Sequence, residues 1–380
     1  MQIQSKLPDL KTTIFTIMSK LAKDYNAINL SQGFPDFDMD SGLIKLVNDA
    51  MEAGYNQYAP MQGVFALREE IAMKYENLYG TTYHPETEIT LTAGATQAIF
   101  TAITAIVHRG DEVIIFKPAY DCYEPAIKLA GGQPVSIQLQ APHYKPNWQE
   151  VKNAVSKKTK LILINTPHNP SGMVWKKKDL DALAKLVDNT GIFVLSDEVY
   201  EHIVFDKIKH HSICTNKILK ERSFITASFG KIFHNTGWKM GYCAAPIALM
   251  KEFQKVHQFN VFSINHPMQI ALATYLKTPE HYLSLSGLFQ EKRDLFLNGL
   301  RGNRFKFVPS QGTYFQLLDY SAITNENDVN FAKRLVKEYG LASIPVSVFN
   351  KDEIDQKMLR FCFAKKDETL NKAIEILNKI

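Results

Sequence analysis

The sequence predicts an α/β protein: a mostly parallel seven-stranded sheet sandwiched by helices, with a smaller α+β domain after it. Three observations carry this. Between residues 89 and 245, short apolar runs alternate with amphipathic segments of helical period, the pattern of strands covered on both faces. After about residue 275 the pattern changes to a long polar helix, isolated short strands and two further helices. The chain has 380 residues, 45% hydrophobic and 22% charged, enough for a sizeable core and more than one domain.

Residues 1–40 read as an arm. A short amphipathic segment, TIFTIMSKLAK, leads to AINLSQGFPDF, where Pro35 stops any helix and biases Phe34 to an extended backbone. The large domain, 41–275, opens with a helix over 41–54 that ends on glycine. A polar loop, NQYAPMQG, and a strong helix over 64–80 follow. Strands are predicted at 89–92, 112–116, 133–137, 159–165, 193–197, 223–228 and 240–245, with helices over 96–107 and 177–189 among them. Such sheets bind ligands beyond the carboxyl ends of their strands. The small domain, 276–380, shows a long helix over 280–302, strands near 314–318 and 359–364, and helices over 328–339 and 367–379. The arm is expected to pack with it.

Composition narrows the function. Net charge is +5 with both signs mixed throughout and no arginine-rich arm, so nucleic acid is not an expected partner. Cys122, Cys214, Cys243 and Cys362 are scattered without a CxxC pair, which argues against zinc or a disulfide framework and suits a reducing cytoplasm. Lys6, Asp9 and Lys11 precede any apolar stretch, and no apolar run approaches the ~20 residues that span a bilayer. The expectation is a cytoplasmic protein with no membrane partner. No GxGxxG follows a predicted strand and the eleven histidines include no HExxH, so neither a nicotinamide enzyme nor a metal hydrolase is indicated. His210 and His211 read as a solvated pair.

The run SFGKIFHNTGWKMGY, 228–242, holds the residue around which the chemistry gathers. Lys231 falls just past an apolar strand, where an unpaired ammonium is costly unless it is used. A desolvated lysine near other cations gives up its proton readily and becomes a nucleophile toward an aldehyde. Ser228 and Lys239, with Gly230 between, supply donors for a phosphate beside it. The reading is that Lys231 is the covalent anchor of pyridoxal 5′-phosphate.

Five further features bear on this, each with a plainer use. Gly94-Ala95-Thr96 opens a helix after a strand, a phosphate site or simply a turn. NTPHNPSG, 165–172, presents two asparagines from a proline-stiffened loop, or is only that loop. Asp197, in FVLSDEVYEH, ends a buried strand; it serves as a helix cap, an ion-pair partner, or the acid that keeps a pyridine nitrogen protonated. Tyr200 and Asn169 are then placed to donate to the ring's phenolic oxygen. Tyr120, in KPAYDCYEP, offers a ring for core packing or for stacking on a flat cofactor. Arg360, in LRFCFA, is an edge residue or a two-pronged clamp for a carboxylate.

Taken together, NLSQGFPDF, NQYAPMQG, YDCYEP, NTPHNPSG, SDEVYEH and SFGKIFHNTGWKMGY resemble the class I pyridoxal-phosphate aminotransferases of fold type I, over almost the whole chain. The resemblance is closest to the branch of glutamine/kynurenine aminotransferases, cysteine-conjugate β-lyases and bacterial methionine aminotransferases. It implies that Lys231 carries the cofactor and later shuttles a proton, Asp197 pairs with the ring nitrogen, and Asn169 and Tyr200 hold the phenolic oxygen. It implies Tyr120 stacked on the ring, and Ala95, Thr96, Ser228 and Lys239 on the phosphate. Arg360 would grip the substrate carboxylate near Asn169 and the Gly33 backbone. Such enzymes share their sites across a homodimer, so Tyr58 would reach the neighbouring subunit's phosphate and Phe262 its substrate pocket. Kynurenine-type relatives have a tryptophan near the start of the arm where this chain has Phe15, which leaves a roomier aromatic wall.

The reaction so implied moves an amino group from an amino acid to a 2-oxo acid with ping-pong kinetics. Phe15, Phe262 and Tyr58 favour methionine, aromatic amino acids or glutamine as donors. A β-lyase cutting C–S bonds on the same residues is the main alternative. A ligand-sensing module without catalysis is a lesser one.

Overall fold

A computed structural model describes residues 3–380. The arm starts with a helix, Ile14–Asp24, capped by the Thr13 hydroxyl, and buries only Met18 and Ala22 from it. A two-residue strand, β1 (Ile28–Asn29), follows. The central strands are β2 (Ile89–Thr92), β3 (Glu112–Lys117), β4 (Gln133–Gln138), β5 (Thr159–Asn165), β6 (Phe193–Asp197), β7 (Ser223–Ser228) and β8 (Gly241–Ala244). They form one sheet in the order β2-β8-β7-β6-β5-β3-β4. All run parallel except β8, which pairs antiparallel with both β2 and β7.

The exception has a local cause. Residues 229–240 hold only short helical turns, Phe229–Ile232 and Thr236–Trp238, so the chain turns round instead of crossing back over the sheet. Ser228 therefore pairs with Gly241. Everything between them projects from the same sheet edge as Asp197, at the end of β6, and Asn165, at the end of β5.

Alternation is missing from the middle strands because both faces are covered. On one face Leu195, Phe224 and Cys243 pack with helices Gly94–Ile106, Tyr123–Leu129 and Ile247–Asn260. On the other, Val194, Ile225 and Tyr242 join the larger core that includes the helix Phe65–Tyr79. The helix Gly94–Ile106 is apolar nearly all round, as its place in the interior requires.

The C-terminal part carries β9 (Phe315–Asp319), β10 (Leu341–Ala342), β11 (Ile344–Pro345) and β12 (Met358–Cys362). A three-stranded antiparallel sheet runs β11-β12-β9, and β1 pairs parallel with β10. The Cys362 N–H also donates to the Leu30 carbonyl at 2.8 Å, so the arm is laced to this part by main-chain bonds.

Two expectations are corrected. The helix predicted over 280–302 divides at Ser284 into Glu280–Leu283 and Leu285–Gly299. Ser284 Oγ donates back to the Glu280 carbonyl at 2.7 Å, a bond that bends helices. His210 and His211 are not a solvated pair: the His210 side chain is 4% exposed and its Nε2 lies 3.0 Å from Glu198 Oε2. Among the described residues no helix is long and apolar enough to cross a membrane.

Candidate active site

A cavity of about 260 Å³ opens at the carboxyl ends of β5, β6 and β7. The arm closes one side with Phe15, Gln32, Gly33 and Phe34, and the C-terminal sheets close another with Phe315 and Arg360. Of the residues singled out from sequence, Phe15, Gly33, Ala95, Thr96, Tyr120, Asn169, Asp197, Tyr200, Ser228, Lys231, Lys239 and Arg360 all line it. Tyr58 and Phe262 do not. They lie outside this chain's cavity with their rings 5.5 Å apart, Tyr58 81% exposed and Phe262 in a left-handed backbone at φ +66°.

Lys231 rises from the helical turn after β7. Its Nζ donates to the Gly33 carbonyl at 3.3 Å and lies 5.8 and 5.9 Å from the Tyr314 and Tyr200 ring centres. Burial brings its pKa down to about 8; the Arg360 and Lys239 cations push the same way, against the Cys362 thiol and Asp197. Opposite, Asp197 Oδ2 accepts from the Tyr123 hydroxyl at 2.5 Å, and Oδ1 from the Val199 N–H at 3.4 Å. Burial still raises this carboxyl to about 6, outweighing both bonds and the Lys231 charge. A carboxylate so poorly matched within its own chain fits a cationic ring nitrogen as its partner.

One corner of the cavity is made by close backbone approach. The helix Gly94–Ile106 points the unpaired N–H groups of its first turn into the cavity. Gly94 has φ +76°, and a Cβ there would come within 3.5 Å of Lys239 Nζ. A Cβ on Gly241 would lie 2.9 Å from the Ala95 nitrogen and 2.7 Å from the Ala227 carbonyl, so only glycine lets β8 run this close. Lys239 itself is left-handed at φ +54°, a conformation that costs a non-glycine residue roughly 1–2 kcal/mol. Strain, the Lys239 cation and free N–H groups converge where an anion would sit, and the donor set suits a phosphate monoester.

Arg360 points inward from β12 and is 2% exposed. Its Nη1 donates to Asn169 Oδ1 at 2.9 Å and Nη2 to the Ser31 carbonyl at 3.1 Å, while Nε is buried without a partner. The guanidinium lies 4.0 Å from the Phe315 ring centre and 5.3 Å from that of Phe15. Accepting from Arg360 leaves the Asn169 amide N–H groups to donate. The Asn169 loop is fixed by its own N–H to Asn165 Oδ1 at 2.8 Å, and Asn165 Nδ2 reaches the Asp197 carbonyl at 2.9 Å.

Tyr123, Gln32, Thr236 and Phe315 also serve the site without having been expected there, and Asn165 was expected only as one of the two loop asparagines. Tyr123 and Asn165 stood inside motifs already noted, each offset by three or four residues from the one chosen. Phe315 had only its place in a short strand.

This fold, with a buried lysine and a buried acid lining one cavity beside a helix N-terminus, defines a pyridoxal-phosphate-dependent transferase of fold type I. Residues 25–377 match the model of the family described as aminotransferase class I and II. The chain is 50% identical to a methionine aminotransferase of Escherichia coli over 378 residues, 99% of this chain and 98% of the relative. It is 36% identical to a kynurenine–oxoglutarate transaminase of Dictyostelium discoideum over 97% of this chain and 94% of the relative. A crystal structure from Escherichia coli whose reactivity identifies a methionine aminotransferase function superposes with a TM-score of 0.98 at 50% identity, covering 100% of both chains. The chain belongs to the class I and II aminotransferases, enzymes that use pyridoxal phosphate.

Proposed function

We propose that the enzyme transfers the amino group of methionine, and more slowly of aromatic amino acids or glutamine, to 2-oxo acids. One observation carries the substrate class. Beyond Lys231 and the phosphate-side Lys239, Arg360 is the only cation among the described residues lining the cavity, and Phe15, Ile99 and Phe315 share the wall with it. One guanidinium matches one carboxylate, and the apolar wall matches an uncharged side chain. The likeness to the Escherichia coli methionine aminotransferase supports methionine as the lead donor.

In this reading Ala95, Thr96, Ser228 and Lys239 would hold the cofactor's phosphate, Tyr120 would face its ring, and Lys231 would anchor its aldehyde carbon. Bound pyridoxal phosphate supplies an electron sink and a place to store the amino group between half-reactions. Asp197 keeps a proton on the ring nitrogen. Asn169 and Tyr200 donate to the phenolic oxygen. Arg360 would fix the substrate carboxylate and so aim the α-hydrogen, and the Lys231 amine, freed when the substrate's amino group takes its place on the aldehyde carbon, would take that proton as general base. The protein acts in the cytoplasm as a homodimer, with Tyr58 and Phe262 crossing to the neighbouring cavity; their exposed rings and distance from their own cavity support this.

The visible spectrum of the purified enzyme tests the assignment. A yellow band should be present, shift on adding methionine, and be missing from Lys231→Ala. Turnover should rank methionine above phenylalanine, glutamine and aspartate; aspartate as best donor would overturn the apolar pocket.

A further inference from the structure

The turn after β6 carries two buried acids besides Asp197. Strand alternation points Ser196 and Glu198 away from Asp197. Glu198 accepts from the Ser196 hydroxyl at 2.8 Å and the Ile213 N–H at 3.0 Å, and lies 3.0 Å from His210 Nε2. Glu201, next to Tyr200, is ion-paired with Lys74 of the helix Phe65–Tyr79 and accepts from the Tyr79 hydroxyl at 2.9 Å. The Tyr242 hydroxyl accepts from Lys74 Nζ at 2.7 Å and donates to Glu201 Oε1 at 3.3 Å. Tyr242 stands on β8, three residues after Lys239. The Lys74 and Glu201 side chains are 2% and 1% exposed, and none of the three residues lines the cavity.

The sheet ladder releases the turn early: the Glu198 N–H to the Thr226 carbonyl, at 2.9 Å, is its last bond to β7. From there to residue 202 the main chain has only local bonds, Glu201 to Glu198 and Ile203 to Tyr200, both at 2.9 Å, until the Ile203 carbonyl accepts from the Thr313 N–H at 2.9 Å. A buried ion pair is seldom more stabilising than an apolar pair of the same shape, so stability alone is a weak reason for this one. A directional network with every member satisfied does specify geometry.

We propose that Lys74 and Tyr242 are positioning residues that, acting through Glu201, lock the turn from Asp197 to Glu201 against β8 and so set where Asp197 and Tyr200 meet the cofactor ring. This rests on the reading of Asp197 and Tyr200 given above.

The test uses the pyridoxal-phosphate-loaded enzyme and three variants. Lys74→Met/Glu201→Gln removes both charges at similar volume and leaves no unpaired ion. Tyr242→Phe removes one hydroxyl, and Lys74→Arg keeps the charge. The pH midpoint of the visible band reports the donors around the ring and should move by about half a unit or more in the double variant. Its kcat should fall on the order of 10- to 100-fold, as for slight misplacement of reacting groups, with KM for methionine changed less than about three-fold. Tyr242→Phe should shift both readouts the same way by less, and Lys74→Arg should retain most of the native band position and kcat. Should the double variant fail to fold, Tyr242→Phe decides alone. A lowered Tm with native band, cofactor affinity and kcat would overturn the proposal. Asp197→Asn and Tyr200→Phe serve as controls: a changed band in them beside a native one in the network variants sinks the positioning role only. A native band in the controls sinks the site reading with it.

Discussion

Burial moves the Asp197 carboxyl up and the Lys231 amine down from their ordinary pKa values, and the two act on stability in separate pH windows. In the cofactor-free chain the Asp197 carboxyl is raised from 3.8 to about 6, so its protonated form is favoured by folding. That contribution is full below about pH 4 and lost as pH rises through about 6. Lys231 is lowered from 10.5 to about 8, so folding disfavours its charged form, a cost that fades only as pH climbs past that range. Between the two windows both groups are charged and desolvated. Asp197→Asn should therefore stabilise the cofactor-free protein at pH 7.5 by about 1–3 kcal/mol while destroying activity, with no gain at pH 4. Urea unfolding at the two pH values checks this. Lys231 and Asp197 were legible in the sequence because a charged residue at the end of an apolar strand has to be explained. Tyr123 was not: its hydroxyl meets Asp197 only because β3 and β6 lie in one sheet, and a tyrosine opening a helix carries no mark of that.

At the scale of elements, the decisive contact is between the first turn of the helix Gly94–Ile106 and the start of β8. Gly241→Ala would push a methyl group against the Ala95 nitrogen and the Ala227 carbonyl, neither of which can move without disturbing the sheet. The expected outcome is a loss of about 1–3 kcal/mol in stability and weaker pyridoxal phosphate binding, read by thermal unfolding and by titration of the visible band. Hydrophobic period located the central strands to within a residue or so. It could not show that β8 runs backwards, because an antiparallel strand buried on both faces has the same apolar run as a parallel one. Nor could it show the break at Ser284, which depends on one hydroxyl turning back on the helix, or the burial of His210, whose partner Glu198 lies in another segment.

At the scale of the molecule, the cavity is assembled from segments remote in sequence. Arg360 and Asn169 meet across 191 residues, and Lys231 and Gly33 across 198. No local pattern predicts such meetings; the joint occurrence of six motifs made them readable before any geometry was known. Tyr58 and Phe262 remain apart from the cavity of their own chain, and the homodimer proposed above gives them a use. Two-subunit mass in solution is expected, with Tyr58→Phe leaving the mass unchanged and weakening cofactor binding by about 10-fold, the worth of one charge-assisted hydrogen bond. Sedimentation and cofactor titration on the same samples check both halves.

The Gly33 carbonyl accepts from the Lys231 amine and also from the Tyr314 hydroxyl, at 2.6 Å. Two donors on one oxygen weaken its C=O bond, and one of them belongs to the group that alters during turnover. A carbon-13 label at that single peptide should then act as a vibrational gauge, its stretch moving to higher frequency whenever the lysine condenses with an aldehyde or is otherwise drawn away. The arm would report the condition of the nucleophile without any dye or added probe.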